Sequence, residues 1–289
     1  MKAIVFAACL EQPQMQESDA VLAAALEARG AKVRTAAWNG DQSDFAAADA
    51  IVVRSTWDYQ KTPDAFARWI DAIADGGAQV INPPALMRWN MSKRYLLGLA
   101  EKGAPLPPTR LVEPDGAAIA AAMDAMGVAV AVAKPEYGGT ASGLSLVRRE
   151  DAAGLAAAAV KMAMPGIVQA LIPEIRSHGE TSLIFIDGEF THAVTKRPKP
   201  GEILCQAEFG GVAEAARAPG WAVAEARGIL ALLPERPLYA RIDAVILDGT
   251  MRLMEVEVIE PELFFTYSPD SPDAPGAAQR FADALINRL

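Results

Sequence analysis

At about 150 residues per domain, 289 residues give room for two compact domains, and 52% apolar with 22% charged residues excludes disordered, collagen-like and disulfide-scaffold classes. Twenty-seven Lys and Arg against 36 Asp and Glu leave a net charge of −9, a field that repels a polyphosphate backbone and argues against nucleic acid as a partner. The two cysteines, Cys9 and Cys205, match no metal spacing, which suits a reducing cytoplasm, and no apolar run reaches the ~20 residues of a membrane span.

The N-terminal stretch MKAIVFAACLEQ reads as a strand rather than a signal peptide, having no long apolar core and no small-residue cleavage pattern. Ile4 to Phe6 form the strand, Ser18 caps a helix running through Leu26 to a stop at Gly30, and Val33 and Ala50 to Val53 mark two more strands. Thr62-Pro63 opens a second helix, DAFARWIDAIA, closed by Gly76 and Gly77 before the strand QVIN. Residues 1–85 thus predict a small parallel α/β domain that breaks at Asn82-Pro83-Pro84.

Residues 86–166 read as a central subdomain: a helix over MSKRYLLGLAEKG, a Pro-rich connector, an Ala-rich helix, and the strand AVAVAKP feeding a glycine-rich stretch, Gly138 to Gly143. Residues 167–289 read as an α+β subdomain with mainly antiparallel strands, and Asp187-Gly188 and Asp248-Gly249 signal tight hairpins. No internal repeat is evident.

The first βα loop, CLEQPQMQ, lacks the glycines of a dinucleotide-binding loop, and Leu144 stands where a Walker A motif needs lysine. Glycines and small hydroxyls after a strand still expose backbone N–H groups that fold over phosphates, although a plain hairpin loop has the same composition. Lys134 ends the strand before that loop. Lys93, with Ser92 or Asn90 as a cap, sits near a helix start and adds to an anion site, or is simply a surface residue.

The strongest local pattern is Arg241-Ile-Asp243 followed, after a turn, by Met254-Glu255-Val256-Glu257. A period of two puts Glu255 and Glu257 on one strand face about 7 Å apart, and Asp243 on the neighbouring strand can face the same space. Three carboxylates with oxygen-only ligands suit Mg²⁺ held together with substrate phosphates, while a solvated acidic strand face paired with Lys and Arg is the alternative. No nucleophile elbow is present, and His178 and His192 form no metal-ligand motif.

Arg54-Ser55-Thr56-Trp57-Asp58-Tyr59 follows a parallel strand at the carboxyl end, where open α/β sheets collect ligands. Arg54 can hold a carboxylate, Ser55 and Thr56 can orient it, and Trp57 and Tyr59 can wall the pocket; a structural turn with a buried Trp and an Arg–Asp pair is the alternative. Residues 197–211 are the other candidate for the specificity loop.

Lys93, VAKP with Lys134, the glycine loop, VQALIPEI, HGETSLIFIDGEF, RID and MEVEVIEP occur in an order that resembles the ATP-grasp superfamily of ligases, which includes glutathione synthetase and D-alanine–D-alanine ligase. RSTWDY at 54–59 and EVIEPELFF at 257–265 are similar to its branch containing O-ureidoserine cyclo-ligase of cycloserine biosynthesis. The resemblance implies an N-terminal parallel α/β domain followed by two α+β subdomains that clasp ATP.

It further implies that Lys93, Lys134 and the loop Gly138, Gly139, Thr140, Ala141, Ser142 and Gly143 contact ATP phosphates, that Gln169, Ala170, Leu171 and Ile172 form the adenine hinge, and that Glu180 holds the ribose. Asp243, Glu255 and Glu257 would hold Mg²⁺, the last standing where such ligases usually carry Asn. Arg197 and Arg241 are implied to stabilise the transferred phosphate or an acyl-phosphate oxyanion. The implied activity is ADP-forming carbon–nitrogen ligation, in which a small carboxylate is activated as an acyl phosphate. An ATP-binding regulator without turnover and a small-molecule kinase are the rivals, the expected location is the cytoplasm, and a homodimer is left open.

Overall fold

The computed structural model describes residues 1–139, 141–205, 209–271 and 274–289. Its first sheet is built from β1 (Ala3–Ala8), β2 (Lys32–Ala37), β3 (Ala50–Ser55) and β4 (Gln79–Ile81), all parallel in the order β2-β1-β3-β4. β1 and β3 are nearly continuous apolar runs because both faces of a parallel sheet are covered. α1 (Glu17–Glu27) covers one face through Leu22 and Leu26, and a short helix α2 (Ser43–Ala46) precedes β3. α3 (Pro63–Asp75) begins on Pro63 and presents Phe66, Trp69, Ile70 and Ile73, one stripe of a 3.6-residue period, to Val5, Ile51 and Val53 on the other face. Ser18 is not the helix cap its position predicts: α1 starts one residue earlier, and the Ser18 hydroxyl accepts a bond from the Phe265 backbone N–H at 3.0 Å.

A separate helix, α4 (Pro84–Met91), ends at Met91; the predicted helix over MSKRYLLGLAEKG forms only from Tyr95, as α5 (Tyr95–Glu101), and Ser92 between them is extended. Asn90 caps neither; its buried amide bonds the carbonyl of Val256 and the N–H of Val258. The second sheet holds β5 (Thr109–Val112), β6 (Val130–Pro135), β7 (Ser145–Arg148) and β8 (Gly166–Ala170), antiparallel in the order β5-β8-β6-β7. α6 (Gly116–Met126) and α7 (Ala152–Met162) pack on one face, each begun by an aspartate, Asp115 or Asp151, that accepts a backbone N–H. Gly166 has to be glycine, since a Cβ there would collide with the Lys134 carbonyl.

After α8 (Ile175–His178), the third sheet carries β9 (Glu180–Ile186), β10 (Glu189–Arg197), β11 (Val212–Ala216), β12 (Tyr239–Leu247) and β13 (Thr250–Glu257), antiparallel in the order β11-β10-β9-β12-β13, with α9 (Gly220–Leu230) between β11 and β12. The hairpins turn at Asp187-Gly188, both at positive φ, and at Gly249, as the sequence predicts. The last helix, α10 (Ala277–Ile286), returns to α1, burying Phe281 and Leu285 against the first sheet's core. No helix among the described residues is long and apolar enough to cross a membrane.

Asn82 sews the first sheet to the third. Its buried amide donates to the carbonyls of Tyr239 and Val258 and accepts from the N–H groups of Leu238 and Tyr239. Asn82→Ala leaves these backbone groups unpaired in a dry interior, and an expected loss of about 2–4 kcal/mol follows in chemical denaturation. A loss below about 0.5 kcal/mol would contradict this joint.

Candidate active site

The three sheets enclose a cavity of about 370 Å³ whose wall holds Lys134, Gln169, Glu180, Arg241, Asp243 and Glu255, among others. β12 and β13 pair Asp243 with Glu255 and Arg241 with Glu257, so the hairpin register brings the acidic strand face together, with a bulge just after Asp243. Asp243 is 2% exposed and accepts from Ser182 Oγ at 2.6 Å, from Arg241 Nε at 2.9 Å and Nη2 at 2.8 Å, and faces Lys196 Nζ at 3.3 Å. Burial opposes its ionisation, but Arg241 and Lys196 outweigh burial and hold the carboxyl below its usual range.

The other carboxylates predicted to hold metal or ribose also each have a cation. Lys93 Nζ meets Glu255 Oε1 at 2.5 Å, Arg241 pairs with Glu257, and Lys196 pairs with Glu180. The acidic face is therefore paired with Lys and Arg, with Asp243 buried and Glu255 and Glu257 half-buried. The Lys93 N–H also bonds the Glu136 carbonyl at 2.9 Å, tying this lysine to the strand that leads into the glycine loop. Lys134 Nζ donates to Gln169 Oε1 at 3.0 Å, and burial lowers its pKa.

The described residues contain no group of three His, Cys, Asp or Glu side chains converged as a ready metal site. Asp243, Glu255 and Glu257 lie on one strand pair, where Asp243 and Glu257 both meet Arg241 and Glu255 meets Lys93. The donor chemistry nevertheless fits a divalent cation: three carboxylates on one hairpin supply oxygen ligands, and the lysines and arginine beside them suit phosphates that would arrive with the ion.

The glycine loop joins β6 to β7, and Gly138, Gly139, Ala141 and Ser142 line the cavity, as do Ala170, Leu171 and Ile172 after β8. Gly143 does not; its φ of +73° and the Pro135 ring 2.9 Å from where a Cβ would stand make it the pivot of the loop. Thr140 lies outside the described residues. Gln169 presents its side chain to Lys134 and to Thr109 Oγ1 and is itself buried.

Two predicted positions need correction. Arg197 is outside the cavity, bonded to Glu214 and to the Ser177 carbonyl on the exposed face of β10, and its neighbour Lys196 points inward instead, since adjacent strand residues face opposite ways. Arg54 is also outside. Its guanidinium donates from Nε to Asp19 Oδ1 at 2.7 Å and from Nη2 to the Pro261 carbonyl at 3.0 Å, and stacks over Tyr239, 2% exposed. Ser55 and Thr56 are buried beside it, and Asp58 accepts from Trp38 Nε1 and Asn39 Nδ2 rather than facing a ligand. Of that segment Trp57 and Tyr59 line the cavity, and from the 197–211 loop Ile203, Leu204, Cys205 and Gly211 do. Gln206, Ala207 and Glu208 lie outside the described residues.

Beyond the predicted set the cavity wall includes Gln60, Lys196, Glu260, Glu262 and Phe264. Glu260 and Glu262 follow β13 in the string EPEL, an acidic signal available in the sequence but overshadowed by the Glu255/Glu257 pair. Burial, with Glu257 and Glu255 negative nearby, lifts Glu260 to about 8; burial also lifts Glu257 to about 7, Asp243 and Glu255 adding to it against the pull of Arg241. Without nucleotide or metal, both groups keep in the folded chain a proton that the unfolded chain gives up near 4.5. Their stabilisation is therefore complete below that value and lost as the pH rises through about 7 and about 8. Ligand-free protein is expected to lose stability between about pH 5 and about pH 8.5, and Glu260→Gln to flatten the loss, as followed by denaturant titration; an unchanged slope would contradict the assignment.

A family model described as the N-terminal domain of D-cycloserine synthetase DcsG matches residues 4–82. The cycloserine biosynthesis protein DcsG of Streptomyces lavendulae is 30% identical over 268 residues, 87% of each chain. A crystal structure of D-cycloserine synthetase DcsG superposes with a TM-score of 0.86 at 27% identity, covering 99% of both chains. D-alanine–D-alanine ligase from Bacillus anthracis shares the fold alone, at a TM-score of 0.71 and 14% identity over 99% of this chain and 96% of that one.

A parallel sheet followed by two antiparallel sheets that close on one charged cavity is the architecture of the ATP-grasp ligases. Within that class the sequence match is closer than the fold alone requires. The chain belongs to the DcsG family.

Proposed function

We propose that this chain uses ATP and Mg²⁺ to activate the carboxylate of a small amino-acid derivative as an acyl phosphate, releasing ADP, and that a nitrogen of the same molecule then displaces phosphate to close a ring, as in O-ureidoserine cyclo-ligase. The observation that supports this most is one cavity in which Lys93, Lys134, Lys196 and Arg241 stand beside Glu180, Asp243, Glu255 and Glu257. Phosphoryl transfer asks for positioning and charge neutralisation rather than covalent help, and this set supplies both signs. The printed name of the structural relative, D-cycloserine synthetase, supports a cyclised product.

In this reading Lys93 and Lys134 turn from their carboxylate and amide partners to the triphosphate, and Gly138 to Gly143 fold over it. The backbone of Ala170 to Ile172 meets the adenine, and Glu180 the ribose. Asp243, Glu255 and Glu257 would hold Mg²⁺, which would supply charge neutralisation for the phosphates. Arg241 and Lys196, freed from those carboxylates, stabilise the transferred phosphoryl group and the oxyanion formed when nitrogen attacks the acyl carbon. Trp57 and Tyr59 wall the substrate end. The chain divides accordingly into a substrate domain over 1–85, a lid over 86–166 and a nucleotide and metal subdomain over 167–289, a cytoplasmic consumer of ATP.

The test is to incubate the protein with ATP, Mg²⁺ and O-ureido-D-serine, beside a panel of amino acids and small carboxylates, and follow ADP and product mass. ADP and a ring in equal amounts are expected. Accumulation of a phosphorylated carboxylate would replace the ligase with a kinase, and tight ATP binding without ADP from any compound would replace it with a regulator.

A further inference from the structure

Six carboxylates line the cavity, and five of them have a donor from the protein. Glu180 has Lys196, Asp243 has Arg241, Glu255 has Lys93, Glu257 has Arg241, and Glu262 accepts from the Phe264 N–H at 2.6 Å. Glu260 is the exception in having none from another residue: among the described residues no Lys, Arg or other side-chain donor meets its carboxylate, which is bonded only by its own backbone N–H. Its backbone is fixed, since Trp57 Nε1 donates to the Glu260 carbonyl at 3.1 Å. A second acceptor without a partner shares this wall. Gln60 Oε1 is buried and unpaired, and its orientation is set by Gln60 Nε2, which donates to the Trp57 carbonyl at 2.8 Å.

Two acceptors that no other residue's donor meets, both anchored through Trp57 and both lining the cavity, suit a ligand that brings donors and positive charge. An ammonium group has three donors and no acceptor. Tyr59 and Phe264 share the lining, so an ammonium is received where water is scarce, and Glu260 gives up the proton it holds in the ligand-free protein to form a charge-assisted bond with it. Arg241, which meets Glu257, lines the same cavity as Glu260, so a small amino acid has a cation for its carboxylate and a carboxylate for its ammonium in one chamber.

We propose that Glu260, assisted by Gln60 Oε1, is the specificity residue that receives the ammonium group of an amino-acid substrate. This rests on the ligase reading above and names what that reading leaves open, the group by which the substrate is told from a plain carboxylate. Glu260 acts on binding and orientation; it takes no part in the phosphoryl transfer.

Calorimetric binding of O-ureido-D-serine is compared with that of 3-(ureidooxy)propanoate, which lacks only the amino group, on the full chain with Mg²⁺ and a non-hydrolysable ATP analogue. Wild type is expected to bind the amino compound at least about tenfold more tightly, Glu260→Gln to bring the two within about threefold, and both proteins to hold the nucleotide equally. Equal affinity of wild type for the two compounds overturns the ammonium site and leaves the ligase reading standing, a comparison that needs no variant to fold. Retention of the full preference in Glu260→Gln overturns it too. If wild type holds the nucleotide and neither compound, the ammonium site falls together with the cyclo-ligase substrate, and if it fails to hold the nucleotide, the ligase reading falls first and carries the site with it.

Discussion

Asp243→Asn is expected to lower kcat at least about a thousandfold while the protein remains folded. Asp243 is the carboxylate on which the cavity's charges converge: Ser182, Arg241 and Lys196 all reach it, and Glu255 is its partner across the hairpin. The amide has the same shape and can keep the Ser182 bond through its oxygen, but it removes the negative charge that Arg241 and Lys196 face. Two consequences follow: a divalent ion loses an anionic ligand, and two buried cations lose the counter-charge that fixes their position. Steady-state kinetics beside circular dichroism and a denaturation curve check the prediction. A folded Asp243→Asn protein with near-normal kcat would return this acidic hairpin to a structural role.

Arg54→Ala is expected to cost about 3–5 kcal/mol of stability, the price of stranding a buried charge when its partner is removed. Arg54 and Asp19 lie between the first sheet and α1, both almost wholly buried, and Arg54 also reaches the Pro261 carbonyl and the Tyr239 ring. Burial raises the pKa of Asp19 even with Arg54 beside it, so the aspartate depends on this one guanidinium. Pro261 follows Glu260, so the loosened variant also loses a tether on the acidic segment that lines the cavity. Urea denaturation at several protein concentrations measures the loss. A destabilisation below about 1 kcal/mol would show that Arg54 is not the clasp described, and a rise in KM for substrate without any loss of stability would restore it as a ligand.

The parts of this molecule legible in its sequence are those governed by short spacings. Asp187-Gly188 and Asp248-Gly249 announce hairpins because tight turns need residues that accept positive φ, and the period of two places Glu255 and Glu257 on one face without knowledge of the partner strand. The strand ending in Lys134 and the glycines after it are likewise a local pattern. What stayed hidden depends on distant partners. Whether Lys196 or Arg197 faces inward is set by the register of β10 against β9, which slips between Phe190 and His192. Arg54 looks like a ligand at a strand end until Asp19, 35 residues earlier, and the Pro261 carbonyl, 207 later, are seen to take its donors. The MSKRYLL helix starts only at Tyr95, because Ser92 is extended and the Lys93 N–H is taken by the Glu136 carbonyl, 43 residues away in sequence. Counting carboxylates on a strand likewise says nothing of the cations that the fold brings to them, Lys93 at Glu255 and Arg241 at Glu257.

The central claim, activation of a carboxylate as its acyl phosphate, is tested most directly by isotope transfer. O-ureido-D-serine labelled with heavy oxygen in its carboxylate is turned over with ATP and Mg²⁺, and the released phosphate and nucleotide are weighed by mass spectrometry. A carboxylate oxygen that attacks the γ-phosphorus becomes the bridging atom and leaves with phosphate when nitrogen attacks the acyl carbon, so each phosphate should carry one heavy oxygen and the ADP none. Ring formation accompanied by unlabelled phosphate would contradict the account.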